Sequence, residues 1–552
     1  MTDPERRPTA IDRIAEDWVD TGVALHPEEA VLLGRAGHEG LYTDHSPDGL
    51  AADEAAERAV LARLRAAEPV DAVDAVTSAD LTREVELSLE SRAAGLPLRD
   101  VNTIESPVQG IRDVFDLEPT GTADDWERIA LRLRNLPVAI AGYAATLRQG
   151  VELGVVPARR QVVLAAGQAR EQSAPDGFLR GLAERGAASA GVQDALAREL
   201  AAAADGAAAA YGGLADLLER ELAPTALEQD AVGRELYALQ SRRFLGAEVD
   251  LEETYEWGLS ELAAVAAEQE AVARRIIPGG SVKDAIAALD RDPGRVLEGT
   301  DALRDWMQAL SDAAVEELGR SHFDLPEQVR ALECRIAPTR TGVIYYTPPS
   351  DDFARPGRMW WSVPDGVTRF TTWRETTTVH HEGVPGHHLQ IATAMTNRAL
   401  NSWRRNAGTS GYWEGWALYA ERLMDELGRL DDDGDRLGML DGQRMRAARV
   451  VIDIGLHLGL RDADGAVWTR DAALELLRRH VHMDDAFLRF EVDRYCGWPG
   501  QAASYKVGQR IWQGLRAEWL AAGEGRDVTG FHRTALPMGG MGLDTLRGAL
   551  LG

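Results

Sequence analysis

Apolar side chains recur three and four residues apart along most of the chain, with charged residues between them. Residues at this spacing share one face of an α-helix, so the pattern predicts amphipathic helices that pack together. We expect a mainly α-helical protein, in which glycines 206, 212 and 213 break the alanine-rich range 186–223. Helices are predicted over residues 11–19, 51–67, 125–153, 186–223, 251–275, 301–319, 374–398, 442–460 and 471–488.

The pattern changes between residues 331 and 364. Three short segments there, 331–336, 342–346 and 359–363, are rich in β-branched and aromatic residues, with proline and glycine between them. Such segments are typical of strands, so we expect a small antiparallel sheet just before the next helix. A strand of this sheet could hold an extended peptide by β-strand addition. A hairpin with a purely structural role is the alternative.

Length and charge narrow the class of protein. A chain of 552 residues is longer than most single domains. We therefore expect one unit with two lobes, a helical lobe over about 1–325 and a second lobe over about 326–552 that contains the histidine-rich segment described below. Acidic side chains outnumber basic ones by 89 to 60, for a net charge of −29. This balance argues against a nucleic-acid partner, because phosphate contacts need lysine and arginine.

Cysteine usage and hydropathy suggest a location. The chain has two cysteines, Cys334 and Cys496, which provide no disulfide framework. It begins without an apolar signal core and contains no stretch of about 20 apolar residues that would span a bilayer. We therefore expect a cytoplasmic protein without a membrane partner. The sequence makes no prediction of oligomeric state.

Metal-ligand chemistry is concentrated in residues 380–388. Four of the twelve histidines and one carboxylate lie there: His380, His381, Glu382, His387 and His388. Helical zinc sites use the motif His-Glu-x-x-His, in which two histidines one turn apart bind the metal and the glutamate activates water. His381 and Glu382 match the start of this motif. The position four residues after His381 is a proline instead, so the motif is stretched.

An unbroken helix cannot bring these histidines to one metal. Six residues of helix leave His387 about 120° away from the face of His381, and seven place His388 about 10.5 Å further along the axis. Ligands of one zinc lie within about 4 Å of each other. We therefore expect an interruption at Pro385 and Gly386, which suit an irregular backbone. His387 then becomes the second ligand, and His388 points elsewhere, to support the site or contact substrate.

Two other interpretations of this segment stay open. It could be a histidine-rich turn that binds nothing. It could also be a structural metal site, although such sites normally use four protein ligands, often with cysteine. Neither cysteine lies near the segment in the sequence.

The third ligand is expected from a second helix. Glu414 lies 414 − 387 = 27 residues after His387, which is enough for one helix to end and the next to return. Glu421 shares its face, so one carboxylate could bind the metal while the other supports a histidine. We favour Glu414 as the ligand. Its flanking residues Trp413 and Trp416 suggest a buried helix, in which a carboxylate needs a partner.

Later residues supply further candidates. Asp453 and His457 lie four apart on an apolar helix and form either a pair near the pocket or a satisfied pair in the core. Tyr505 is our candidate donor to the oxyanion of a hydrolytic transition state. Candidate cations for a substrate carboxylate are Arg494, Lys506 and Arg510, with surface charge as the alternative. The acidic run 431–435 lacks calcium-loop spacing and is expected to be a solvated loop.

Three segments resemble the bacterial domain-of-unknown-function family 885. They are His-Glu-x-x-Pro-Gly-His-His at 381–388, Glu-Gly-Trp-Ala-Leu-Tyr-Ala-Glu at 414–421 and Pro-Gly-Gln-Ala-x-Ser-Tyr-Lys-x-Gly at 499–508. The family is regarded as candidate zinc metallopeptidases. It is more distantly similar to the helical zinc peptidases that include thimet oligopeptidase, angiotensin-converting enzyme and the thermostable carboxypeptidases.

The resemblance implies zinc, or another divalent metal such as cobalt or manganese, held by His381, His387 and Glu414. It implies Glu382 as the general base, and a two-lobed zincin-like architecture with the sheet beside the metal helix. The expected function is hydrolysis of peptide or peptide-like amide bonds in short substrates. The alternatives are a metal-dependent biosynthetic enzyme acting on an amino-acid-derived metabolite, a non-catalytic peptide-binding protein and a structural helical protein.

Overall fold

Helices make up 68% of the protein, and the sheets are small. The computed structural model describes residues 6–33, 35–337, 344–462 and 464–552, apart from the side chain of Leu32. Helices of the first part are α1 (Ala10–Leu25), α2 (Glu29–Leu33), α3 (Pro47–Ala66), α4 (Ala72–Ala93), α5 (Pro107–Asp113), α6 (Ala123–Leu153), α7 (Arg159–Ser173), α8 (Phe178–Ala187), α9 (Asp194–Leu217), α10 (Arg234–Leu245), α11 (Leu251–Ile276), α12 (Val282–Leu289) and α13 (Thr300–Ser321). Those of the second part are α14 (Thr372–Glu382), α15 (His387–Thr396), α16 (Ser402–Asn406), α17 (Ser410–Glu426), α18 (Asp433–Leu458), α19 (Arg470–His480), α20 (Asp485–Gly497), α21 (Gln501–Ala521), α22 (Val528–Ala535) and α23 (Leu543–Leu551).

The mainly helical class is confirmed, and three predicted boundaries are wrong. Helix α9 runs without a break through all three glycines, because a glycine inside a helix costs only about 1 kcal/mol and the packed face of α9 outweighs it. The range 471–488 contains two helices, since Asp484 caps a new one by accepting a hydrogen bond from the Phe487 amide. The acidic run is not a loop throughout, because Asp432 caps the N-terminus of α18.

Two small sheets precede the histidine-rich segment. Strands β1 (Val296–Glu298) and β5 (Arg369–Thr371) form an antiparallel pair that the sequence did not predict. Strands β2 (Leu332–Ile336), β3 (Ile344–Thr347) and β4 (Gly357–Trp361) form the second sheet in the order β2-β4-β3. The purely antiparallel arrangement is wrong. Strand β4 inserts between the other two, pairing antiparallel with β3 and parallel with β2. Residues 342 and 343 of the predicted middle strand lie outside the described residues.

The buried apolar side chains form several clusters. The largest extends from Tyr237 to Leu550 and centres on α11, α17, α18 and α21, while a second joins α6 to α9. A smaller cluster joins the three-stranded sheet to α13 and α14, with Met359 packed near Val379. Helix α14 therefore lies between the sheet and the largest cluster. The lobe boundary near residue 325 stays a prediction.

Helices α17 and α21 approach each other more closely than side chains would permit. A Cβ atom placed on Gly415 would lie 2.5 Å from the carbonyl carbon of Gly508, and one on Gly508 would overlap the carbonyl oxygen of Gly411. Three glycines therefore permit backbone contact between the helices that carry Glu414 and Tyr505. Within the described residues, we find no helix that is both long and apolar enough to cross a membrane.

Candidate metal centre

The histidine-rich segment is an interrupted helix. Helix α14 ends at Glu382, and α15 begins at His387, with an irregular turn over the four residues between them. A Cβ atom on Gly386 would overlap the carbonyl oxygen of His381, and the Gly386 amide donates to the His380 carbonyl at 3.0 Å. Only glycine permits so tight a return of the chain. The turn brings the imidazoles of His381 and His387 to a centroid separation of 4.8 Å.

Three helices contribute to one buried cluster. One ligand atom from each of His381, Glu382 and His387 lies within 4.8 Å of the others. Glu414 reaches the same place from α17, with its Oε2 atom 3.3 Å from Nε2 of His381 and 3.6 Å from Nε2 of His387. The structure therefore brings together the two histidines, the candidate general base and the candidate third ligand that the sequence suggested.

These donors fit a tetrahedral metal ion. Two ligands that each lie 2.0–2.1 Å from a zinc ion are about 3.3–3.4 Å apart, close to the separations between Glu414 and the two imidazoles. Glu414 Oε2 is buried and has no hydrogen-bond partner among the described residues, although burying such an atom is costly. Two imidazoles and one carboxylate are a ligand set of catalytic zinc sites.

His388 points away from this cluster. Its Nε2 donates to the carbonyl oxygen of Val329 at 2.7 Å, and its Nδ1 accepts from the hydroxyl of Tyr346 at 2.9 Å. Both ring nitrogens are therefore used in contacts next to and within the three-stranded sheet. His388 anchors α15 and does not face Glu414.

A chain of hydrogen bonds orients His381. Its Nδ1 donates to Glu421 Oε1 at 2.8 Å, and Glu421 Oε2 accepts from Gln443 at 2.7 Å. Gln443 in turn accepts from the Lys506 ammonium at 2.6 Å, and Lys506 pairs with Glu261 at 2.9 Å. A carboxylate behind a histidine ligand fixes the ring and increases its basicity. Glu421 and Lys506 thus support the cluster from outside.

Burial and neighbouring charges shift the pKa of three groups in the cluster. Burial alone would lower the pKa of His381, but the carboxylates of Glu414 and Glu421 raise it to about 10. Burial alone would raise the pKa of Glu414, but the two imidazoles lower it well below its usual value. For Glu382, burial dominates and its pKa is raised. A raised pKa makes a carboxylate a stronger base, which suits a group that accepts a proton and passes it on.

Tyr505, which belongs to α21, lies near Glu414 of α17. Burial, followed by the charge of Glu414, raises the pKa of its hydroxyl to about 12, so the group stays a proton donor. The Arg449 guanidinium carbon lies 5.0 Å from the centre of the Tyr505 ring. This contact fixes the ring and leaves Tyr505 as the candidate donor to an oxyanion.

Several predicted residues have other roles. Arg494 is buried and binds Glu491 and Gln501, and Arg510 binds Glu253 at an exposed position. Neither guanidinium is free for substrate.

Asp453 and His457 lie together in the core, with Oδ1 of Asp453 3.6 Å from Nε2 of His457, and their hydrogen bonds go to residues outside the cluster. Asp453 Oδ2 accepts from the amide of Gly500 and from the hydroxyl of Tyr237, both at 3.0 Å, and so holds the start of α21. His457 Nε2 donates to the Tyr495 carbonyl at 2.9 Å. Their roles are structural, which was the alternative that the sequence left open.

The sequence did not single out two residues that lie beside the cluster. Gln443 connects Glu421 to Lys506, and Arg446 lowers the pKa of both Glu382 and Glu421 through its charge. Both belong to α18. The segment around Arg446 contains several arginines, which are typical of a solvated face, so the sequence carries no signal that sets Arg446 apart.

The fold and the cluster define a mainly helical protein with a buried His₂Glu constellation suited to a divalent metal. The chain belongs to the family described as bacterial protein of unknown function (DUF885), whose model matches residues 27–550. A search of the curated proteins finds no match.

Two solved structures are similar over nearly the whole chain. One is the putative lipoprotein from Colwellia psychrerythraea, with a TM-score of 0.84, 19% identity, and 98% of each chain covered. The other is a putative lipoprotein of unknown function from Shewanella oneidensis, with a TM-score of 0.76, 18% identity, and 99% of this chain and 100% of that chain covered. At these identities the similarity establishes the fold.

The descriptions of these two structures correct one prediction. We expected a cytoplasmic protein, and both similar structures are described as lipoproteins, which contradicts that location. The prediction depended on few cysteines and on the absence of an apolar span. A lipid can hold a protein at a membrane without either feature, so neither was a valid criterion.

Proposed function

We propose that this chain is a zinc-dependent hydrolase of peptide or peptide-like amide bonds in short substrates. The observation that carries the proposal is the position of Glu414 Oε2, which lies 3.3 Å from Nε2 of His381 and 3.6 Å from Nε2 of His387. This oxygen is buried and has no hydrogen-bond partner in the part of the chain that the structure describes. Glu382 lies within the same group of ligand atoms. Cobalt or manganese could replace zinc with this donor set.

Each residue of the cluster has a role in this reaction. His381, His387 and Glu414 would hold the metal, and Glu421 would orient His381. A bound zinc supplies Lewis acidity, which polarises a carbonyl and lowers the pKa of a water molecule. Glu382 would take a proton from the attacking water and deliver it to the leaving amine.

The same proposal assigns an oxyanion donor and describes the architecture around the cluster. Tyr505 would donate a hydrogen bond to the oxyanion as negative charge develops on it. We propose a two-lobed, zincin-like architecture in which the cluster lies in a cleft, an arrangement that favours short peptides over folded proteins. The edge strand β3, which carries Tyr346 next to His388, is a candidate for holding an extended substrate.

The decisive experiment changes Glu382 to Gln. Zinc content and hydrolysis of a panel of short peptides, with free and blocked ends, are measured for the wild type and for Glu382→Gln. We expect unchanged zinc content and a fall in turnover of roughly 10²- to 10⁴-fold, the usual contribution of a general base. Glu375→Gln is the matched control, because it is the same substitution on the same helix at a residue that does not contact the proposed ligands.

Three results would contradict the proposal. Full turnover in Glu382→Gln would remove Glu382 from the mechanism. A wild-type protein that binds zinc but cleaves none of the peptides would favour the non-proteolytic enzyme, and one that binds the peptides uncut would favour the binding protein.

A further inference from the structure

Arg446 lies on the face of α18 that borders the metal cluster. It is three residues after Gln443, which donates to Glu421 at 2.7 Å, and three before Arg449, which lies against the ring of Tyr505. Positions three apart on a helix are neighbours on one face. Arg446 therefore lies between the support of His381 and the candidate oxyanion donor.

Among the described residues, the guanidinium of Arg446 forms no ion pair. The neighbouring arginines of α18 are engaged, since Arg444 binds Gln269 at 2.8 Å and Arg449 binds Glu491 at 2.7 Å. Arg446 Nε is buried without a hydrogen-bond partner among the described residues, and the ion pairs of these residues do not include Arg446. A partly buried cation without an anion is unfavourable unless a ligand supplies one.

The charge of Arg446 reaches the catalytic groups without pairing with them. Its charge lowers the pKa of Glu382, Glu421 and Tyr505, so its electric field acts on all three groups. Each of these groups already has another role in the site. The guanidinium is thus available for a charge that arrives with the substrate.

We propose that Arg446 binds a carboxylate of the substrate, which makes the substrate a short peptide with a negative charge near the scissile bond. This inference rests on the proposed function and specifies the substrate class for the same site. Arg446 takes the role that the sequence assigned to Arg494, Lys506 or Arg510, all of which have internal partners. Arginine suits the role, because its planar fork binds a carboxylate with two parallel hydrogen bonds.

The carboxylate could be the C-terminus of the peptide or an acidic side chain, and three probes separate these sources. Each probe is a dipeptide hydroxamate that binds metal: one has a free C-terminal carboxylate, one has a C-terminal amide, and one has the amide together with an aspartate side chain. Affinity for the zinc-loaded protein is measured by calorimetry. We expect one of the two carboxylate probes to bind roughly 10- to 100-fold more tightly than the plain amide.

Two variants test the residue. Arg446→Gln should lose the preference for the carboxylate probe while keeping the affinity for the plain amide, and Arg446→Lys should keep part of the preference. Arg436→Gln is the control, since it removes an arginine of the same helix that pairs with Asp425. It should keep the full preference.

The outcomes separate the two proposals. If the wild type binds all three probes equally, or if Arg446→Gln keeps the preference, Arg446 is not the anchor and the metal site is unaffected. If the zinc-loaded wild type binds no hydroxamate, the metal is not accessible to substrate, and the proposed function fails together with this inference.

Discussion

At the scale of single residues, the adjacent histidines His387 and His388 contact different parts of the protein because they point in different directions from the start of one helix. His387 and His388 are the first two residues of α15, and successive side chains on a helix point about 100° apart. His387 Nε2 lies 3.6 Å from Glu414, while His388 contacts Val329 and Tyr346. One is placed to bind metal and the other holds the helix to the sheet.

This difference predicts distinct effects for the same substitution at the two positions. His387→Asn should lose zinc, because a ligand of the cluster is removed. His388→Asn should keep about one zinc ion per chain but be less stable by roughly 1–3 kcal/mol, since buried hydrogen bonds are lost. Zinc per chain is measured by mass spectrometry and stability by urea unfolding. If only His388→Asn lost zinc, His388 and not His387 would be the ligand.

How far single residues could be predicted depends on whether their partners are local. Spacing indicated His381 and His387, because helix geometry limits which side chains can share one metal, while the flanking tryptophans and the family resemblance favoured Glu414 as the third ligand. Arg446 was missed, since its position depends on the rotation of α18 against α17 and α21. The pair at Asp453 and His457 was left open because a buried polar group can be satisfied by the backbone of another element, which a sequence does not show.

At the scale of elements, the close approach of α17 and α21 determines where Glu414 and Tyr505 lie. Gly415 of α17 meets Gly508 of α21 through backbone atoms, and the Gly508 Cβ position is blocked by Gly411. Any side chain at this contact would push the two helices apart. The candidate oxyanion donor would then move away from the ligand.

Alanine at two positions of α21 tests this packing. Gly508→Ala should destabilise the protein by roughly 1–3 kcal/mol, the usual cost of overpacking, and should reduce turnover. Gly514→Ala is the matched control, because no atom lies within 4 Å of its Cβ position. It should stabilise the protein by about 1 kcal/mol through helix propensity. Urea unfolding measures both; equal effects would show that the glycine contact is not required.

The elements themselves were predictable where their signal is local. Long amphipathic helices such as α11 and α13 match their predicted ranges, because periodic burial determines them. The direction of β2 was not predictable, since it depends on β4 inserting between β2 and β3. The continuity of α9 through its glycines likewise depends on tertiary packing that outweighs propensity.

At the scale of the whole molecule, the cluster belongs to the largest core. Its candidate ligands come from α14, α15 and α17, and its supporting residues come from α11, α18 and α21. A chain of hydrogen bonds runs from His381 through Glu421 and Gln443 to Lys506 and so joins α14, α17, α18 and α21. We therefore expect the packing of these helices to hold His381 in place with or without a metal.

Removing zinc should therefore lower stability without unfolding the protein. A ligand that binds only the folded state stabilises it by about 2.7 kcal/mol when free ligand is at 100 times the Kd. For a chain of this length, we expect treatment with a chelator to lower Tm by a few degrees. Helical content, measured by circular dichroism, should stay constant. His387→Asn is the control and should show no shift with the chelator. If helical content collapses when zinc is removed, the metal organises the core and the helices do not form the site on their own.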